Sequence, residues 1–268
     1  MTLLERGATQ RAIAVWPSTP DGTAVDAVAQ EFPVALIYNG ISHIVMMASP
    51  VQLEAFALGF SLTEGIIDSP EELYGIDVLW GEGSAEVSLT IATRKFEAFK
   101  QVRRGLAGRS GCGICGKESL QQIHQTLAPV EGAFTVSHSA IQAATQGLSH
   151  HQPLQQQTGS VHGAAWCALD GEVVMVCEDV GRHNALDKLV GCLWSDNCFD
   201  KPGFLLMSSR ASFEIVQKAA KAGIALVVTL SAPTSMAIEI AENVGMTLVG
   251  FSRAHRHVAY SHAHRLQA

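Results

Sequence analysis

No apolar run in this 268-residue chain approaches the roughly 20 residues a helix needs to cross a bilayer, so no membrane span is expected. Met1–Arg11 lacks a basic start followed by an apolar core, so no secretory signal is expected and the chain reads as cytoplasmic. Outside an oxidising compartment its six cysteines are expected as thiols rather than as a disulfide framework. Charged residues make up only 16% of the chain and the net charge is −7, which argues against general nucleic-acid binding. There is no internal repeat and no low-complexity domain, which excludes a solenoid array. A second Cys-x-x-Cys pair is also missing. One such pair supplies only half of a closed zinc site, so no structural metal is expected.

The remaining composition, 47% hydrophobic with 24 glycines, is that of a compact globular protein, long enough for two domains or one large one. One stretch stands apart from it. Gly111-Cys112-Gly113-Ile114-Cys115-Gly116 places two thiols three residues apart, with Arg103, Arg104 and Arg109 before it and Lys117 and Glu118 after it. A thiolate attacks where a thiol does not, and nearby positive charge favours the thiolate. The glycines let the backbone turn tightly and leave the sulfurs uncovered. A thioredoxin-like motif would follow a strand and open a helix, whereas Phe96 to Arg104 reads as helix. The reading left for 102–118 is a loop that carries nucleophilic sulfur on a rigid frame. Cys167, Cys177 and Cys192 lie among apolar residues and read as buried fillers.

Residues 1–30 carry little signal and read as including a loose tail. Val34 to Tyr38, Asn39-Gly40 and His43 to Met47 spell a hairpin, because Asn and Gly tolerate positive φ. Leu53, Phe56, Ala57 and Phe60 recur at helical spacing, so 51–63 reads as an amphipathic helix. Leu73 to Trp80 and Glu86 to Ala92 read as strands, which makes the first hundred residues a small α+β unit. Lys117 to Leu127 and Ser137 to Thr145 read as helices, and the Gln-rich piece 152–157 as a surface loop.

From Ser160 the pattern changes. Val161 to Leu169 and Val173 to Cys177 form a hairpin around Asp170-Gly171. Gly181 to Trp194 is a helix with Leu186, Leu189, Val190 and Leu193 on one face. Phe204 to Met207, Ala225 to Leu230 and Thr247 to Phe251 read as strands separated by the helices Ser212 to Ala222 and Ser235 to Glu242. Short apolar strands alternating with helices imply substantial parallel pairing in a sheet covered on both faces.

Five further strings accompany the Cys112–Cys115 stretch in order along the chain: Thr63-Glu64-Gly65, Glu178 to Lys188, Ser209 to Glu214, Ser231 to Ser235, and Gly250-Phe251-x-Arg253-x-x-Arg256. Together they resemble the formate dehydrogenase accessory sulfurtransferase family (FdhD), over about residues 33–261. Ser160 and Ser209 stand where that family leads one to expect glycine. The resemblance implies an α/β fold, a cytidine deaminase-like mixed-sheet sandwich with a smaller N-terminal α+β unit. It suggests a division into 1–130, ending in the Cys-x-x-Cys loop of about 102–118, and 131–268.

The resemblance also implies a function. Cys112 and Cys115 would receive persulfide sulfur from a cysteine desulfurase. The sulfur would pass to the molybdenum bis(guanine dinucleotide) cofactor before that cofactor enters formate dehydrogenase. Guanosine diphosphate would mimic the cofactor, and the protein would be a homodimer. Family placement puts cofactor binding at Phe251, Ser252, Arg253, Ala254, His255 and Arg256. A second candidate is Arg182 with His183, where glycine and a helix N-terminus make an anion site; the ordinary alternative there is capping by Asp179 beside surface side chains. Ser212 reads as an N-cap or as a ligand contact at a strand end. Met46 and Met47 read as core filler.

Two other classes remain open: a cofactor-holding chaperone that transfers no sulfur, and a zinc deaminase. The deaminase signature needs His-x-Glu followed later by Pro-Cys-x-x-Cys. Here Ala164 follows His162 where the glutamate belongs, and the Cys-x-x-Cys precedes the histidine.

Overall fold

The structure is a computed structural model that describes residues 3–16, 24–106, 127–253 and 255–268. In chain order its helices are α1 (Leu3–Gly7), α2 (Leu53–Thr63), α3 (Thr93–Leu106), α4 (His138–Gly147), α5 (Pro153–Thr158), α6 (Arg182–Ser195), α7 (Phe213–Lys221) and α8 (Ser235–Asn243). The strands of the first half are β1 (Ala8–Ile13), β2 (Ala24–Ala29), β3 (Phe32–Tyr38), β4 (Ile41–Ala48), β5 (Leu73–Gly81) and β6 (Ser84–Ile91). The second half adds β7 (Val136–Ser137), β8 (His162–Ala168), β9 (Val173–Asp179), β10 (Gly203–Met207), β11 (Leu226–Thr229), β12 (Thr247–Arg253), β13 (Arg256–Ser261) and β14 (Leu266–Gln267).

A six-stranded mixed sheet runs β13-β12-β11-β10-β8-β9, with β10, β11 and β12 parallel. Its central strands β8, β10 and β11 have no polar alternation because both faces are covered there. On one face Ala165, Cys167, Phe204, Leu206, Leu226 and Val228 pack under Ile141, Ala144 and Leu148 of α4 and the residues after it. On the other, Ala164, Trp166, Leu205, Met207 and Val227 meet Leu186, Leu189, Val190 and Leu193 of α6 and Ile215, Val216 and Ala219 of α7. The four-stranded sheet β4-β3-β6-β5 turns Val34, Leu36, Val87 and Leu89 toward the same core. One apolar cluster therefore runs from Val34 to Leu248.

The helix α2 fills the space between α6 and the smaller sheet. It was expected to be amphipathic, yet nine of its eleven residues are buried. Two layers cover it, one on each side, so the apolar spacing marks only its more hydrophobic flank. Burying its Leu53, Phe56, Leu58 and Phe60 is worth ~1.5–3 kcal/mol apiece. The contact with α6 is backbone to backbone: a Cβ on Gly59 would strike the Asp187 carbonyl, and one on Gly191 the Ala55 carbonyl.

Several local readings change. Asn39 and Gly40 do take positive φ, 45° and 81°, in the β3–β4 turn. Residues 8–13 and 24–29, expected within a loose tail, pair as an antiparallel hairpin instead. It is held by the ladder rather than by burial, since Val25 is 69% exposed, so no apolar alternation announced it. The Gln-rich 153–158 is helical. Pro153 opens it, the Glu178 carboxylate accepts from Leu154 N (2.9 Å) and Gln155 N (2.8 Å), and Gly159 closes it at φ 66°. Met46 packs on the core, but Met47 is exposed. The strand β12 is not the last: β13 returns beside it, and β14 pairs with β7. The polar Arg256 and His257 hid β13, an edge strand with few buried residues.

Candidate functional site

Four of the strings singled out in the sequence end at one edge of the six-stranded sheet. Register places the carboxyl ends of β10, β11 and β12, the start of β8, the end of β9 and the start of β13 along it. Ligands of open α/β sheets collect at such strand ends. Backbone bonds stitch this rim: Ser208 N donates to Gly163 O (2.9 Å), Ser231 N to Ser209 O (3.3 Å) and Phe251 N to Ser231 O (3.2 Å). Ser209, where glycine was expected, is buried, is not in the left-handed region, and donates its hydroxyl to Arg210 O at 3.0 Å. Serine therefore fits that loop without strain.

At one end of the rim, α6 and α7 both begin, and neither N-cap, Gly181 or Ser212, caps its helix through a side chain. His183 Nε2 lies 2.8 Å from Glu214 Oε2 and 3.5 Å from the Ser212 hydroxyl. Ser212 thus faces the rim rather than its own helix. The half-buried Arg182 keeps a buried Nε with no hydrogen-bond partner among the described residues. His162 faces this corner too. Burial holds its pKa below the usual 6.5, assisted by the Arg182 and His183 charges. An unpaired buried guanidinium nitrogen beside two helix N-termini suits an anion.

At the other end, Phe251 adopts φ 50° where β12 and β13 slip register between Gly250 and Arg253. Its side chain is 41% exposed, a face open for stacking. Arg253 pairs across the hairpin with Arg256, and His255 lies between them in the turn; all three are exposed. Ser252 points the other way, buried, with its hydroxyl 2.6 Å from that of Thr145 on α4. It fixes the hairpin rather than facing a ligand. Ala254, Cys112 and Cys115 lie outside the described residues, as do Arg109, Lys117, Glu118 and most of the predicted helix 117–127. The two ends do not meet. Four strand spacings separate β12 from β9, about 19 Å at roughly 4.8 Å each.

Other residues of the same strings are structural, which the sequence did not reveal. Lys188 Nζ is 2.6 Å from Asp179 Oδ2 and donates to Ser49 O (3.0 Å), while Ser49 N donates to the same carboxylate oxygen at 2.9 Å. Both charged residues are wholly buried. In a second knot Lys218 Nζ reaches Asp187 Oδ2 (2.9 Å) and Glu64 Oε1 (2.8 Å), and Thr63 Oγ1 donates to Asp187 Oδ1 at 2.6 Å. Burial would lower the Lys218 pKa, but the two carboxylates outweigh it and hold it raised and charged. Thr63-Glu64 is thus bolted to α6 and α7. Among the described residues no three His, Cys, Asp or Glu side chains cluster as a metal site.

A family model matches residues 29–267, nearly the whole of this chain. The chain belongs to the FdhD/NarQ family. A relative from Cupriavidus necator named sulfur carrier protein FdhD is 50% identical over 242 residues, 90% of this chain and 84% of that protein. One of the same name from Acinetobacter baylyi is 52% identical over 237 residues, 88% of this chain and 86% of that protein. The crystal structure of a Desulfotalea psychrophila protein, described provisionally as a formate dehydrogenase accessory protein, superposes with a TM-score of 0.76. It is 25% identical, and the match covers 97% of this chain and 100% of that one. The α/β mixed-sheet fold expected for the family is thereby established.

Proposed function

We propose that this chain carries sulfur for the maturation of formate dehydrogenase. The Cys112 thiolate attacks the terminal sulfur of a persulfide held by a cysteine desulfurase. The donor's S–S bond breaks, a new one forms on Cys112, and the donor leaves as a thiolate. The sulfur then goes to the metal centre of the molybdenum bis(guanine dinucleotide) cofactor, the substrate of the second step. Attack by Cys115 on the inner sulfur of Cys112 releases the outer one as a sulfide equivalent and leaves a disulfide. The client's guanine dinucleotide is extended, so Phe251, Arg253 and Arg256 would hold the guanine end while Arg182 and His183 take phosphate elsewhere on the rim. We take the protein to work as a cytoplasmic homodimer.

The observation that carries the nucleotide half of this reading is the rim itself, where Arg182 Nε is buried without a partner among the described residues. The names of the relatives support the sulfur half. The test is mass spectrometry of the full-length chain after incubation with a desulfurase and cysteine. The expected product gains one sulfur on Cys112. Absence of that gain, with guanosine diphosphate still bound, would leave a cofactor-holding chaperone instead.

A further inference from the structure

Cys177, near the end of β9, and Cys192, near the end of α6, were expected to be inert fillers. They meet instead. Their Sγ atoms are 3.8 Å apart, and the Cys177 thiol donates to Cys192. Gln52 Nε2, at the start of α2, lies 3.8 Å from the same Cys192 sulfur. Lys188 stands one helical turn earlier on α6. Cys177 is buried at 1% exposure, whereas Cys192 keeps a partly open surface. The other two described cysteines provide the contrast. Cys167 is buried among apolar side chains, where burial pushes its pKa up to about 12. Cys198 donates to Asp196 O, at 3.7 Å.

We propose that Cys177 and Cys192 form an oxidisable dithiol, with Cys192 as the attacking sulfur and a hydroperoxide as the oxidant. Two donors converge on the Cys192 sulfur and stabilise negative charge there. The hydrogen bond from Cys177 draws its pKa below the ordinary thiol value against burial and the Asp196 charge, with the Lys188 charge a smaller aid, while that bond and burial hold Cys177 protonated. The Cys192 thiolate attacks the peroxide oxygen, the O–O bond breaks, and a sulfenic acid forms. The departing hydroxide takes a proton and leaves as water. Cys177 then attacks the oxidised sulfur. An S–S bond forms as the S–O bond breaks, and the released hydroxide takes the Cys177 proton as a second water. Two thiols have lost two electrons, and one hydrogen peroxide has become two waters. Closing the sulfurs to bonding distance is a movement of under about 2 Å. The bridge would tie β9, which ends just before Arg182 and His183, to α6, which begins with them.

The test exposes the full-length chain to hydrogen peroxide, blocks remaining thiols with N-ethylmaleimide in denaturant, and maps peptides without reduction. Arg182 and Lys188 provide tryptic cuts between the two cysteines. The expected result is a linked Cys177–Cys192 peptide lacking two hydrogens, at peroxide doses that leave Cys167 and Cys198 alkylated. Full alkylation of Cys177 and Cys192 at doses that already oxidise Cys198 would overturn the proposal. In Cys177→Ser, which keeps a donor facing Cys192 but removes the second thiol, a dimedone adduct should accumulate on Cys192. Its absence in folded protein would overturn the attacking role.

Discussion

Arg182 and Lys188 lie on the same helix, yet one keeps an unpartnered nitrogen at the rim and the other has no exposed surface. Both are cations from one sequence string. The difference lies in what surrounds them. Lys188 finds a carboxylate and a carbonyl within 3.0 Å, and its bond to the Ser49 carbonyl bridges the two halves of the chain. Among the described residues Arg182 has no such complement for its Nε. A buried polar group whose bonds are all made inside the protein holds the fold together, and one left unpaired calls for a ligand or an explanation.

Removing a bolt should have the largest effect. Lys188→Ala strands the Asp179 carboxylate in the core, and breaking a buried pair in this way costs about 3–5 kcal/mol. Urea unfolding should show it, while Arg182→Ala at the rim changes stability far less. Equal losses for both variants would erase the distinction drawn between them.

At the far end of the rim the expectation reverses. Arg256→Ala should leave the urea midpoint in place but weaken guanosine diphosphate binding by roughly tenfold or more. A charge-assisted bond is worth ~1.5–3 kcal/mol, and ~1.4 kcal/mol is one decade. Sulfur loading of Cys112 should survive. Unchanged nucleotide affinity would move the phosphates toward Gly181 to Asn184.

Phe251 sharpens the same point, because strain and exposure coincide there. A non-glycine residue in the left-handed region costs on the order of 1 kcal/mol. Phe251→Gly should therefore raise the melting temperature slightly and lower nucleotide affinity. If both fall together, the aromatic ring serves packing and not a ligand.

The smallest effect concerns pH. Burial depresses the folded-state pKa of His162 below 6.5, so below that value the unfolded chain binds the proton more readily. The stability His162 contributes is present above pH 6.5 and is lost as pH falls through it. His257, also depressed by burial and by His138, adds in the same direction. His162→Gln should flatten the acid limb of a melting-temperature profile, and an unaltered limb would remove His162 from that account.

Signals written in neighbouring residues proved legible. Asn39-Gly40 turned the hairpin, and Leu186, Leu189, Val190 and Leu193 formed the buried stripe of α6. Elements that depend on distant partners did not. The helix α5 needs Glu178, more than twenty residues on, to satisfy its first turn, and β13 needs β12 beside it. The rim was half visible, since its strings stood out but only sheet register brings them to one edge.

The sequence by itself determined the alternation of strands and helices, the family resemblance and the candidate residues, because periodicity and turn chemistry act over a few neighbouring positions. Tertiary structure decided what each polar residue of those strings is for. Thr63 meets Asp187 across 124 positions and Lys218 across 155, and Ser49 meets Asp179 across 130. Whether a charge becomes a bolt, a rim contact or a thiol's neighbour depends on such partners. Their proximity follows from packing α2 between α6 and the smaller sheet, and no short stretch of sequence contains that arrangement.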